Sequence, residues 1–260
     1  MISRTAATSP APAAAASGAV ASAVVRQDGS VHGSHDADAP YPALSLVKLY
    51  LGYWVLRNGA PEDAARVEHM IRVSDDRVAS DLDRKYPQAI DEVARQFGLT
   101  ATARRGYWGQ STTSASDVAR FVHSIQHDPV AAPIIRGMRT VAPVAADGFP
   151  QHFGTALLPG AQGSKFGWSD DRVSATASVS FGDGWTAAAM TYGDTRANTA
   201  EALGDINLPD SAPGALGLSI QLGPWRVPAV TLRSLLAPYL PAEMVRLIPA
   251  HILVPVGLPR

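Results

Sequence analysis

Cysteine is absent from the 260 residues, which excludes disulfides, thiolate nucleophiles and cysteine metal sites and leaves the redox compartment open. Lysine is nearly absent. Only Lys48, Lys85 and Lys165 occur among 22 basic side chains, the other 19 being arginine. No block of basic residues forms a stripe and the net charge is −1, so nucleic-acid binding has no support. No apolar run of 18 residues is free of proline and charge, so the sequence offers no transmembrane helix. The length suits one large domain or two small ones. With 44 alanines the composition is strongly biased, and a lysine kept against that bias invites attention. A desolvated lysine can give up its proton near neutral pH, whereas arginine cannot.

Residues 1–17 are rich in alanine, serine and proline and carry one arginine, Arg4. They read as a disordered tail, or as the remnant of a leader that starts upstream, because alanine makes a weak apolar centre for a signal. Residues 18–206 read as one domain. Segments 18–26 and 30–34 flank Gln27-Asp28-Gly29, a hairpin signal. Val47, Tyr50, Leu51, Trp54 and Val55 repeat with helical spacing over 45–58, and Asn58-Gly59 suits the stop. Pro61 opens a second helix carrying Val67, Met70 and Ile71, and Pro87 a third carrying Ile90, Val93 and Phe97. Ser114, with Asp117 three residues on, starts a fourth.

After residue 160 the rhythm changes to two. Val173, Ala175, Ala177, Val179 and Phe181 alternate with serine and threonine, as a half-buried strand requires. Gly182-Asp183-Gly184 turns the chain into a second strand, Trp185 to Tyr192, and 195–206 reads as a helix. The plan is α+β: an antiparallel sheet flanked by helices, with an all-helical lobe over about 60–138. Residues 207–260 hold nine of the twenty prolines and many leucines and valines. Proline at this density opposes a long helix or a central strand. The segment is too apolar for a linker and packs on the domain, on a partner protein or on a membrane surface.

The lysines lead to the chemistry. Ser45 lies three residues before Lys48, so both share one helical face and the amine can reach the hydroxyl. A serine is activated when a base takes its proton, and a buried lysine can be that base. The bland alternative is a helix-starting serine followed by a surface lysine. Val73-Ser74-Asp75-Asp76 joins two helices, where an N-cap is the ordinary role. Lys165 lies in Gly163-Ser164-Lys165-Phe166-Gly167-Trp168 at a strand entrance, and its glycines allow close approach of another backbone.

In chain order, Ser45-Leu46-Val47-Lys48, Ser74-Asp75-Asp76 and Lys165-Phe166-Gly167 resemble three motifs of the penicillin-recognising serine hydrolases, the class A β-lactamases and D,D-peptidases. Those motifs are Ser-x-x-Lys, Ser-Asp-Asn and Lys-Thr-Gly. The resemblance covers about residues 18–206. It implies a β-lactamase/transpeptidase-like fold, Ser45 as nucleophile, Lys48 as proton acceptor and Ser74 as proton relay. Lys165 would supply positive potential, and the N–H groups of Ser45 and Trp168 an oxyanion hole. Asp76, Phe166, Gly167 and Trp168 would border the substrate.

Three departures stand beside these matches. Asp76 replaces an asparagine, exchanging a donor for acceptors and negative charge. Phe166 replaces the hydroxyl residue. The stretch Thr100 to Ser111, where class A enzymes carry a water-positioning glutamate, holds Arg104, Arg105, Tyr107, Trp108 and Gln110 but no carboxylate. Arg104, Arg105, Tyr107 and Trp108 either line a ligand cleft or cap a loop. His123 and His127 have metal-compatible spacing but lack a third ligand, so an exposed helix face is expected, with no metal or cofactor. The resemblance therefore implies an extracytoplasmic serine acyl-transfer enzyme acting on a small-molecule or peptidoglycan-like substrate, while the departures disfavour fast β-lactam hydrolysis. The alternative is a degenerate relative that binds a cell-wall or envelope component without turnover.

Overall fold

A computed structural model describes residues 20–206, 208, 219–222, 225–232, 236, 244, 248 and 252–255. The tail 1–17 lies outside them. Strands β1 (Val20–Arg26) and β2 (Val31–Gly33) form the expected hairpin. After a short β3 (Tyr41–Pro42), a 3-10 turn over Leu44–Leu46 leads into α1 (Val47–Asn58), so the first helix begins with a tighter turn than its spacing implied. Every residue of α1 from Val47 to Val55 is buried, including Lys48. A helix that is apolar on all sides belongs inside a domain.

The helix expected from Pro61 is two: α2 (Pro61–Ala64) and α3 (Val67–Val73). Arg66 N–H bonds back only three residues, to the Asp63 carbonyl, and this tight turn redirects the chain. Then come α4 (Asp76–Lys85) and α5 (Ala89–Phe97), the latter closed by Gly98 at φ +64°. Thr100–Ser111 is not a plain loop. It contains β4 (Ala103–Arg105) and much of β5 (Tyr107–Thr113), a hairpin turning at Gly106 and pairing with β3. Helix α6 (Ala115–Ile125) follows, with Ser114 capping it by accepting from Asp117 N–H. The reciprocal half of a capping box is replaced: Asp117 accepts from Ala101 N–H and the Thr102 hydroxyl. Helix α7 (Ala132–Arg139) ends the helical lobe.

The main sheet has five antiparallel strands in the order β2-β1-β8-β7-β6, with β6 Gly163–Trp168, β7 Thr176–Gly182 and β8 Trp185–Thr191. Alternation divides its faces. Ala21, Ala23, Val25, Ala177, Val179, Ala188 and Met190 join the core of the helical lobe. Val24, Ala187 and Ala189 face Ala202 and Ile206, at the end of α8 (Thr195–Asp205). The serines of β7 were expected to face water, yet all seven residues of that strand are buried. Helix α8 and a 3-10 turn at Gly154–Leu157 cover this second face. Ser178 and Ser180 are satisfied there by hydroxyls and an amide: Ser178 by Asn198 at 2.8 Å, and Ser180 by Thr155 and Ser164 at 2.8 Å each.

Beyond the domain, β9 (Ser219–Leu222), β10 (Trp225–Thr231) and β11 (Leu253–Pro255) form a three-stranded antiparallel sheet with β10 in the middle. The expectation that proline would bar a central strand fails here, for a specific reason. β9 pairs with residues 225–228 and β11 with 229–231, so Pro228 ends one ladder just before the other begins. Its missing N–H falls at the handover. No helix among the described residues is long and apolar enough to cross a membrane.

Candidate active site

The nucleophile candidate sits where the chain is strained. Leu44 adopts φ +51°, the left-handed region that non-glycine residues enter at a cost of roughly 1–3 kcal/mol. This sets Ser45 at the head of α1, against β6. Gly167 makes the approach feasible, since a Cβ there would come 2.7 Å from Leu44 Cβ and 2.8 Å from the Ser45 amide nitrogen. Gly167 thus brings the Ser45 amide beside the residue preceding Trp168.

Lys48 Nζ lies within hydrogen-bond distance of four oxygens that share its three N–H groups: Ser45 Oγ at 2.6 Å, the Ser74 carbonyl and hydroxyl at 3.2 Å each, and Asp76 Oδ1 at 2.5 Å. Its fourth side is closed by Trp108, whose ring centre is 4.5 Å away. Ser74 is delivered by a second left-handed residue, its own φ being +55° at the end of α3. The N-cap role expected of this turn falls to Asp75, which accepts from Arg77 and Val78 N–H and so leaves Ser74 free. Ser74 Oγ also receives Lys165 Nζ at 2.7 Å, and that amine reaches the Phe166 carbonyl at 3.1 Å. The structure therefore brings Ser45, Lys48, Ser74, Asp76 and Lys165 into one hydrogen-bonded chain.

Both amines are fully buried. Burial is the main cause that lowers the Lys48 pKa, opposed by the Asp76 carboxylate and, from farther away, by Asp75 and Asp147. Lys165 is pushed well below the ordinary lysine range by burial first and by Lys48 second. Two ammonium ions this close resist being charged together, so the pair favours holding one proton fewer.

The remaining predicted residues separate. Lys165 pairs across the sheet with Val179 and Phe166 with Ser178, so their side chains leave opposite faces. Phe166 was expected to border the substrate. It is fully buried instead, with its ring 4.8 Å from that of Phe153. Trp168 is half-buried at the rim, stacked on Phe149 at 4.5 Å and donating from Nε1 to Asp147 Oδ2 at 2.9 Å. Asp147 and Phe149 had no motif to announce them; the Asp147-Gly148 turn was the only local signal.

Arg104 and Trp108 prove to be parts of one brace. Arg104 makes a two-pronged bond to Asp83 at 2.7 and 2.8 Å, Asp83 also accepts Trp108 N–H, and Trp108 Nε1 reaches Ser80 at 3.0 Å. The hairpin is thereby fixed to α4 with the indole held over Lys48. Arg104→Ala leaves the buried Asp83 carboxylate without its cationic partner and with only the Trp108 N–H, a loss of about 3–5 kcal/mol. Urea unfolding should show the shift in midpoint, and an unchanged midpoint would refute the brace. His123 and His127 lie elsewhere, lining a polar cavity of about 490 Å³ beside the β7–β8 turn with Arg139 and Asp183. Among the described residues no three metal-type ligands cluster.

Compared by sequence, neither a family profile nor a curated protein matches the chain. Compared by structure, it is similar to a D-alanyl-D-alanine carboxypeptidase from Mycobacterium tuberculosis H37Rv (TM-score 0.52, 17% identity, 76% of this chain and 94% of that one). It is likewise similar to a halotolerant bacterial β-lactamase (TM-score 0.57, 12% identity, 70% and 90%). A class A β-lactamase from Mycobacterium abscessus matches at TM-score 0.53 and 14% identity, over 67% and 84%. At such identities the likeness speaks of architecture, and the chain carries the fold of the penicillin-recognising serine hydrolases.

Proposed function

We propose that this protein is a serine acyl-transfer enzyme that forms an acyl-enzyme on Ser45. The observation that carries the reading is the fully buried Lys48 amine, 2.6 Å from Ser45 Oγ. In its neutral form that nitrogen accepts the Ser45 proton as Oγ bonds to the substrate carbonyl carbon. The proton then passes through Ser74 Oγ, which Lys165 holds in place, to the leaving nitrogen or oxygen as its bond to carbon breaks. Water hydrolyses the resulting ester. The Ser45 and Trp168 N–H groups would hold the oxyanion, a donor pair in which each member is commonly worth about 3–4 kcal/mol. The substrate is a small molecule or a peptidoglycan-like peptide, met outside the cytoplasm.

The second reading is binding without turnover, and the Asp76–Lys48 ion pair favours it by stabilising the protonated, non-basic amine. The lack of a carboxylate across Thr100–Ser111 argues further against fast β-lactam clearance. Incubation with a fluorescent penicillin and with a fluorophosphonate, followed by intact-mass measurement, separates the readings. A one-equivalent adduct that disappears in Ser45→Ala is expected. No adduct with either probe would overturn the enzyme reading.

A further inference from the structure

Asp76 is the residue in which the site differs most from its motif, and its surroundings say what the difference does. Its Oδ1 is committed to Lys48, while Oδ2 makes no hydrogen bond to a described residue and the side chain is 60% exposed. The two bonds that share Nζ place this carboxylate no more than two hydrogen-bond lengths from the nucleophilic oxygen. An exposed oxygen on this carboxylate is close enough to Ser45 to meet a group carried near the carbonyl that Ser45 attacks. It can only accept, so it repels a carbonyl oxygen and welcomes an N–H or an ammonium.

The neighbouring charges agree. Lys48 and Lys165 are both buried, so neither presents its charge at the mouth. The exposed acidic groups near them are Asp76 and Asp147. Arg172, a basic residue near Asp147, is engaged with the Asp147 carbonyl at 3.0 Å and the face of Phe149 at 5.7 Å.

We infer that Asp76 makes this site select acyl donors carrying a free ammonium group on the carbon next to the scissile carbonyl: esters or amides of an unblocked amino acid. This deepens the acyl-enzyme reading and rests on it. An ammonium nitrogen there is two bonds from the carbon that Ser45 attacks, within reach of Asp76 Oδ2. Its arrival also matters for the base. A second cation beside Asp76 weakens the carboxylate's hold on the Lys48 proton, so the substrate that fits also favours the reactive, neutral amine. N-acylated donors bring a carbonyl to the same place and gain neither effect.

The test compares alanine p-nitroanilide with N-acetylalanine p-nitroanilide, in both D and L forms, on wild type and Asp76→Asn. A charge-assisted bond to the ammonium predicts a preference of about 10–100-fold in kcat/KM for the free amine. That preference should vanish or reverse in Asp76→Asn, and in wild type fade as the substrate amine deprotonates above about pH 8. A merely structural role for Asp76 would lower both substrates equally. Fluorophosphonate labelling of Ser45 runs in parallel. Labelling with no preference, or with a preference for the acetylated donor, overturns the inference and leaves the acyl-enzyme standing. No labelling and no hydrolysis overturns both.

Discussion

Lys48→Arg loses covalent labelling of Ser45, with the rate falling by at least about 10²–10⁴-fold, the usual worth of a positioned general base. The variant keeps the positive charge and can still pair with Asp76, so an electrostatic or structural role would survive it. Proton acceptance would not, because guanidinium stays charged throughout the accessible pH range. In wild type the same assignment predicts an acid limb in the labelling rate, set by loss of the proton from Lys48. Burial moves that limb below the ordinary lysine pKa of 10.5, and Asp76 moves it part of the way back up. Removing the carboxylate in Asp76→Asn should therefore shift the limb to lower pH. Stopped-flow labelling across pH reads both effects. Because a guanidinium crowds the buried site, the Lys48→Arg melt is recorded beside its kinetics. Full labelling by Lys48→Arg would refute the base, whatever the melt shows.

Much of this site was legible along the chain because its geometry is local. Ser45 and Lys48 meet because residues three apart share a helical face, and the strand period places Lys165 on a definite side of β6. The same period should have placed Phe166 on the other side, but a motif read as a word conceals that its neighbours point apart. Partnerships across long separations carried no signal. Asp76 is recognisable as a departure that exchanges a donor for acceptors and negative charge, yet nothing in the sequence joins it to Lys48 across 28 residues. Arg104, Asp83 and Trp108 became a brace only once Gly106 turned the presumed loop into a hairpin. The serines of β7 looked solvated because a hydroxyl face reads as wet. What buries them is a network shared with Thr155, Ser164 and Asn198, which periodicity does not record. Pro228 misled in the opposite sense, since the rule against proline in a central strand assumes pairing on both sides of the same residue.

Gly167→Ala tests the closest of these long-range approaches. The added methyl would sit 2.7 Å from Leu44 Cβ and 2.8 Å from the Ser45 amide nitrogen, both closer than carbon atoms tolerate. No flexible side-chain end is available to move aside. Leu44 is already held at φ +51°, and the second contact is backbone. The strain must therefore part β6 from the turn that carries Ser45. Overpacking of this kind costs typically about 1–3 kcal/mol, which thermal unfolding would register as a lower midpoint. The larger effect is on reactivity. The displaced atoms are the nucleophile and the amide proposed for the oxyanion hole, and a misplacement near 1 Å costs about 10²-fold in rate. Labelling should fall far more than stability does, and in the folded protein at temperatures well below the melt. Ser164→Ala, on the same strand but facing the Ser180 network, is the control: it removes a buried hydroxyl bond at 2.8 Å and should cost stability while labelling persists. If Gly167→Ala labels as fast as Ser164→Ala, the contact between β6 and the Ser45 turn does not position the nucleophile.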